Sequence, residues 1–301
     1  MGEETGALSG MDIDCPSMTA AASQSARFLT DVPPEQWTAP ADLLALPPER
    51  LPRHIAMIMD GNGRWATRQG KPRVFGHSRG AKVVPDLVGE CCRLRERIGA
   101  PGFLTLYSFS LENWKRPPAE VDFLMGMYID FLRNERPRMM RENVRFNQVG
   151  RVEGLPQNVL DEVQRTLDET AGNDGLVVTL ALNYSSRAEI TDACRIIAEK
   201  VAVGDLDPAQ VDEALIASHL YTAGHSGTAT GIEMPDVDLL VRTAGELRVS
   251  NYLLWQISYA ELWVTETLWP DFGREHLFDS VRAFAGRNRR FGALDAEPAV
   301  R

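Results

Sequence analysis

The residue types with most capacity for chemistry fall in one run, HIAMIMDGNGRWA at residues 54–66. An apolar stretch ends on Asp60, a glycine turn follows, and a basic helical pattern begins, so Gly61, Gly63 and Ala66 fit the GxGxxA phosphate-binding pattern. Glycine lets the backbone approach a phosphate, and a helix N-terminus offers unpaired N–H groups with partial positive charge. Two details argue against a dinucleotide. No acid closes a second strand about 20 residues later, where a ribose hydroxyl would need it. Asp60 also stands where the pyrophosphate would lie. Two anions at that range repel unless a divalent cation separates them, which points to magnesium-assisted chemistry on a diphosphate. The competing role for Asp60 is a helix N-cap, and residue type alone weighs the two equally.

Arg64, Arg68, Lys71, Arg73 and His77 follow, a run that in isolation is an ordinary solvated helix face. Two more apolar runs end in polar clusters: YSFSLENWKRP at 107–117 and RTAGELRVSN at 242–251. Three strand ends would then supply two separable anion sites, with arginines suited to phosphate.

These groups need a scaffold that brings strand ends together. Short β-type runs at His54–Met59, Phe103–Phe109, Val144–Gly150, Leu176–Asn183, Val237–Arg242 and Leu262–Thr265 alternate with helical patterns. The helices are expected at Ser78–Ile98, Glu120–Arg141, Pro156–Thr170, Arg187–Val203, Pro208–Leu220 and His276–Arg290, with Pro85 kinking or dividing the first. The strands are near-continuously apolar, as when both faces of a parallel sheet are covered. The pattern predicts a single α/β domain over residues 51–301, with a central, mostly parallel sheet of about six strands flanked by helices. In such sheets ligands bind at the strands' C-terminal edge. The helix after Glu120 carries a broad apolar surface that includes Leu124, Met127, Tyr128 and Phe131; it either packs on the sheet or a second copy, or lines a tunnel for a hydrocarbon chain.

The chain has 301 residues, 44% of them hydrophobic and 25% charged, and a net charge of −10. Residues 1–50 hold eight of the 42 acids and two of the 32 bases, leaving the rest nearly balanced, and read as a disordered acidic tail. A nucleic-acid-binding role would need a basic domain and is excluded. Cys15, Cys91, Cys92 and Cys194 have no zinc or disulfide spacing, so reduced thiols and a cytoplasmic setting are expected. No secretion signal or membrane span is evident.

Together the motifs HIAMIMDGNGRWA, Gly76-His77, LTLYSFSLENWKRP, ALNYSSR, the block from Val237 to Phe272, and RNRRFG resemble the cis-prenyltransferase family, over nearly all of residues 51–292. The resemblance implies a magnesium-dependent homodimer that condenses isopentenyl diphosphate onto an allylic diphosphate such as farnesyl diphosphate, giving a cis-polyprenyl, and by likeness undecaprenyl, diphosphate as cell-wall lipid carrier. It further implies transient contact with the inner membrane face through the lipid product. It assigns Asp60 as catalytic residue and magnesium ligand, and Gly61, Asn62, Gly63, Arg64, Trp65, Arg73 and His77 to the allylic diphosphate. Ser110, Leu111, Glu112, Trp114 and Arg116 become further substrate contacts, and Asn113 the residue for proton removal. An amide is a poor base, so Asn113 is expected to position substrate while the diphosphate or a water takes the proton. Arg242, Arg248, Val249 and Ser250 match the isopentenyl diphosphate site, Glu261 a second magnesium ligand, and Arg290-Phe291-Gly292 an element reaching the partner's site.

Leu247 replaces a histidine of many relatives, and the loop from Thr222 to Pro235 is longer than usual. No insertion follows Glu120 and Ser108 is small, both favouring a bacterial-type, medium-length product. The alternatives are a shorter-chain cis-prenyl synthase and a non-catalytic partner subunit; the latter lacks the aspartate and arginines present here. The chain has neither a GxxxxGK[ST] loop nor the DDxxD motif of all-helical prenyltransferases.

Overall fold

A computed structural model describes residues 37–224 and 231–287. Its six strands are β1 His54–Ile58, β2 Phe103–Ser110, β3 Arg145–Val149, β4 Val177–Tyr184, β5 Leu239–Arg242 and β6 Glu261–Val264, each within a few residues of the expected run. They form one sheet in the order β3-β4-β2-β1-β5-β6, and all five pairings are parallel.

Side chains alternate between the two faces with the strand period of two. Ile55, Met57, Leu104, Leu106, Val178, Leu180, Leu239 and Val241 enter the larger core. That core is completed by helices α4 Val84–Ile98, α5 Pro118–Arg141, α6 Gln157–Thr170 and α9 Arg274–Ala285. Ala56, Ile58, Ala181 and Leu240 face the other way, under Tyr184, Tyr221, Ile232, Met234 and Tyr252. Burying each large aliphatic chain contributes roughly 1.5–3 kcal/mol, so both layers hold the strand ends firmly.

The first helical pattern is divided near Pro85 as expected, and two other helix expectations are corrected. The stretch at Ser78–Ile98 is two helices, α3 Arg73–Ala81 and α4, with Pro85 in the first turn of α4, where its missing N–H has no helical partner to lose. Pro208–Leu220 contains only a 3₁₀ turn and the short α8 Glu213–Ser218, because the Asp207 and Asp212 side chains each cap a new start. The last helix ends at Ala285.

Of the expected tail, residues 1–36 lie outside the described residues. Residues 37–50 pack on the body through the helix α1 Ala41–Leu44: Leu43 is fully buried, Trp37 Nε1 donates to Glu90 Oε2 at 2.8 Å, and Asp42 pairs with Arg282 at 2.7 Å. Two anchoring apolar residues, 17 and 11 positions before β1, lack the periodicity that would mark them as core. Cys91, Cys92 and Cys194 are free thiols, and among the described residues no helix is long and apolar enough to cross a membrane.

Candidate active site

The strand order reverses at β1: β2, β4 and β3 extend to one side, β5 and β6 to the other. The crevice at such a switch point, beyond the strands' C-terminal ends, is where open α/β sheets bind ligands. Asp60 follows β1 and Arg242 ends β5, and there Arg242 Nη2 donates to Asp60 Oδ2 at 2.9 Å.

Asp60 is not the helix N-cap. Gly61 takes that place before α2 Asn62–Arg68, with φ at +103°, a conformation that favours glycine. Asp60 Oδ1 instead accepts the Gly61 N–H at 2.6 Å and lies 3.5 Å from the Arg64 guanidinium. Partial burial opposes ionisation, but Arg242, the Gly61 N–H and Arg64 outweigh it and hold the carboxyl below its ordinary pKa. The Thr243 hydroxyl fixes the backbone of Asp60, accepting from its N–H at 2.8 Å and donating to its carbonyl at 2.7 Å.

Arg242 is nearly buried; it also donates to Ser250 Oγ at 2.8 Å and to the carbonyl of Arg248, and its Nε has no hydrogen-bond partner. Arg64 and Arg248 share Glu246 as counter-ion. Across the crevice His77 Nε2 is buried without a hydrogen-bond partner, 3.7 Å from Glu120, which Arg116 holds at 3.0 Å. Burial, then the positive field of Arg116, push His77 down to about 4, so it is neutral at working pH.

Asp60, His77, Arg116 and Ser250 rim a cavity of about 520 Å³. Asp60, Asn62, His77, Ser110, Glu112, Asn113, Arg116, Ser250 and Asn251 give it polar walls. Leu106, Ser108 and Ser110, on alternate positions of β2, carry the lining from apolar to polar toward the strand's end. From α5, Leu124, Met127, Tyr128 and Phe131 line the cavity at helical spacing, while Val121, Met125, Ile129 and Leu132 are buried in the core. The broad apolar surface of that helix thus serves both packing and the cavity.

Of the expected site residues, eight line the cavity: Asp60, Asn62, His77, Ser110, Glu112, Asn113, Arg116 and Ser250. Gly61 caps α2 and Gly63 and Arg64 lie in its first turn, while Arg242 ends β5 and Arg248 lies in the loop after it that carries Ser250; together they hold Asp60 and Ser250. Arg73 packs its guanidinium over Gly63, where a Cβ would approach its central carbon to 2.8 Å. Trp65 stacks on Phe75 and donates to Asp271 at 2.8 Å, outside the lining. Trp114 packs edge-on against Phe109 and donates to Asn183 at 2.7 Å; Leu111 begins the 3₁₀ turn after β2, and Val249 packs on the smaller core. Leu247 is 88% exposed.

Within this chain Glu261 lies apart from Asp60. It begins β6 opposite Leu239, whereas Arg242 pairs with Val264 at the other end. Three residues of strand at about 3.3 Å each separate it from the level of the crevice. Its carboxylate pairs with Arg287 at 3.3 Å, so this chain does not bring Glu261 to Asp60. The Arg290-Phe291-Gly292 element and Cys15 lie outside the described residues.

Thr243, Asn251, Tyr107 and Trp269 were missed as site residues. Thr243 and Asn251 neighbour assigned residues, which is the one signal that sequence offers for them. Tyr107 opens the polar cluster after the second apolar run, while Trp269 carries no such signal; both line the cavity.

A metal here would have to rely on few protein oxygens: no group of three His, Cys, Asp or Glu could hold one among the described residues. An ionised, partly exposed Asp60 fits magnesium, which is commonly held by one or two carboxylates together with substrate phosphates.

The undecaprenyl diphosphate synthase family model matches residues 58–292. The isoprenyl transferase of Geobacillus kaustophilus is 45% identical over 82% of this chain and 90% of its own length. That of Bacillus subtilis is 42% identical over 81% and 88%. Among solved structures, lavandulyl diphosphate synthase from Lavandula x intermedia, in complex with dimethylallyl diphosphate, superposes with a TM-score of 0.74 at 34% identity, covering 81% of this chain and 99% of that one. A probable undecaprenyl diphosphate synthase from Campylobacter jejuni gives 0.63 at 31% identity, covering 80% and 98%. With its aspartate, arginines and half-apolar cavity assembled at the switch point of the sheet, the chain belongs to the undecaprenyl diphosphate synthase family of isoprenyl transferases and is a prenyl-transferring enzyme.

Proposed function

We propose that the enzyme adds isopentenyl diphosphate repeatedly to an allylic diphosphate, farnesyl diphosphate by preference, and releases a long cis-polyprenyl diphosphate of undecaprenyl length for the cell-wall lipid carrier. The supporting observation is one cavity whose polar part carries Asp60 and His77 and whose apolar part includes the face of α5. A diphosphate and its growing hydrocarbon tail need such a division.

In this proposal Asp60, with substrate phosphate oxygens, would hold magnesium. When bound, the ion offsets the charge that grows on the leaving diphosphate as the allylic C–O bond breaks. The chain's own groups do the rest. Gly61 to Arg64 and Arg73 hold the allylic diphosphate, and neutral His77 offers it a hydrogen bond without adding charge. Arg242, Arg248 and Ser250 hold the isopentenyl diphosphate so that its double bond meets the allylic carbon. Asn113 Oδ1 already accepts the Ser110 N–H at 3.0 Å, so the amide orients substrate while a diphosphate oxygen or water takes the proton. The enzyme works as a cytoplasmic homodimer, with Arg290-Phe291-Gly292 completing the partner's site and the product passing to the inner membrane face.

A shorter product is the second reading, favoured by the similarity to lavandulyl diphosphate synthase. Incubating the purified chain with farnesyl diphosphate, labelled isopentenyl diphosphate and magnesium, then sizing the extracted lipids, separates the two. Asp60→Ala should lower turnover by about 10²–10³, the usual effect of removing one preorganised electrostatic group. Undiminished incorporation by that variant would overturn the mechanism.

A further inference from the structure

Asn251 occupies a place for which no role has yet been given. It lies on the turn after β5 that also carries Ser250, and its backbone is left-handed, with φ at +58°; Ser250 and Leu253 are left-handed as well, at +50° and +45°. Such a turn is strained for side chains other than Gly, Asn and Asp, and persists only where its surroundings hold it. Beneath it Tyr252 is buried and stacks on Tyr107 with ring centroids 4.3 Å apart, and Leu253 is buried too.

The amide of Asn251 ties this turn sideways to two other strand ends. Its Nδ2 donates to Glu112 Oε1 at 2.9 Å, just past β2, and to Ser185 Oγ at 2.6 Å, just past β4. Its Oδ1 accepts the Arg187 N–H at 3.0 Å, and its backbone carbonyl accepts the Ser186 N–H at 3.0 Å. Ser186 and Arg187 open helix α7, Ser186–Ala202, so Asn251 satisfies two of the four N–H groups that a helix start leaves unpaired. Both amide donors and the amide oxygen are engaged, and Asn251 itself lines the cavity. The adjacent Ser250 meets Arg242 through its hydroxyl and Tyr107 through its carbonyl.

We infer that Asn251 is a positioning residue for the isopentenyl diphosphate half of the site, fixing Ser250 against Arg242 and orienting Glu112 toward the same cavity. The inference rests on the assignment of Arg242, Arg248 and Ser250 to isopentenyl diphosphate. Asparagine suits the place because it tolerates the left-handed backbone and offers donors and an acceptor at once. Aspartate would keep the backbone and the acceptor, yet set a second carboxylate against Glu112.

The test is steady-state kinetics on the full chain, varying each substrate with the other saturating, together with thermal unfolding. N251G keeps the turn's backbone and removes only the amide. It should raise KM for isopentenyl diphosphate about tenfold, the scale of one or two lost hydrogen bonds, and leave KM for the allylic diphosphate within about twofold. N251D should raise the same KM further, with the excess shrinking as pH falls toward the carboxylate range, and N251D with E112Q should recover part of it. If the wild type is active and N251G shifts both KM values equally, or neither, the positioning role is overturned. If the wild type incorporates no isopentenyl diphosphate at all, the functional assignment falls and the inference with it.

Discussion

The loops that meet through Asp60 and Arg242 are built by different means. After β1 the chain relies on absent side chains: Gly61 takes a left-handed φ, and Gly76 and Gly80 let α3 press against α2, since a Cβ at Gly76 would fall 1.9 Å from the Asn62 carbonyl oxygen. After β5 the chain relies on present ones. Ala244, Ser250, Asn251 and Leu253 all have positive φ without being glycine, and hydrogen bonds from Arg242 and Tyr107 to Ser250, and from Asn251 to Glu112 and Ser185, hold that path. The first loop is fixed by close backbone approach and the second by a polar network, so they should respond to different perturbations.

The largest difference should be in pH dependence. Behind the second loop lies Glu189, fully buried, accepting from the Tyr184 hydroxyl, the Tyr221 N–H at 2.9 Å and Gln256 Nε2 at 3.2 Å. Burial pushes its carboxyl up to about 7. The folded-state value lies above the unfolded one, so the neutral carboxyl favours folding below about pH 4.5, and that contribution is lost as pH rises through about 7. A shift of this size corresponds to something on the order of 3 kcal/mol. Glu189→Gln stays neutral throughout and should gain on the wild type between pH 5 and about 8 in urea midpoint. Only the difference between the two curves carries the effect. His54 and His77, both pushed down to about 4 mainly by burial, are lost as stabilising neutral groups when pH falls below 6.5. Parallel curves would mean that the second network does not titrate in this range.

The first loop should yield to volume instead. Gly76→Ala forces α2 and α3 apart against a backbone atom, which overpacking data place at about 1–3 kcal/mol, or several degrees of Tm in a chain of this size. Turnover should fall with it, because Asn62 lines the cavity and His77 follows Gly76 directly. A variant with unchanged Tm would show that the helices yield cheaply and that the glycine is not what fixes the loop.

The same contrast explains what could be read in advance. Gly61, Gly63 and Asp60 announce their loop because glycine spacing is a local signal with few other causes. The strands were legible through their apolar runs, and the apolar face of α5 through its period. The network of Asn251, Glu112, Ser185 and Arg187 joins positions 139 and 66 residues apart, and no local pattern encodes such a pairing. Glu261 shows the same limit: its type and neighbourhood fit a metal ligand, but register, which no local pattern encodes, sets it at the start of β6, away from the Asp60 of its own chain. Trp37 and Leu43 were hidden in a segment whose composition resembles a disordered tail, since two anchors leave no periodic trace.

A smaller effect should come from the residue through which the two loops touch. Thr243, on the second loop, accepts from the Asp60 N–H and donates to the Asp60 carbonyl, with further partners at Ile58 and Trp269 sharing those groups. Thr243→Val removes the hydroxyl at nearly constant volume, so the loss is about one net hydrogen bond, roughly 1 kcal/mol, rather than two orphaned groups. If Asp60 is held mainly by its own loop's backbone, turnover should fall no more than about fivefold while Thr243→Ser keeps wild-type rates. A loss as large as that of Asp60→Ala would instead make the side-chain network of the second loop the determinant of the carboxylate's position. The division between a backbone-built and a side-chain-built half of the site would then dissolve at the residue where they meet.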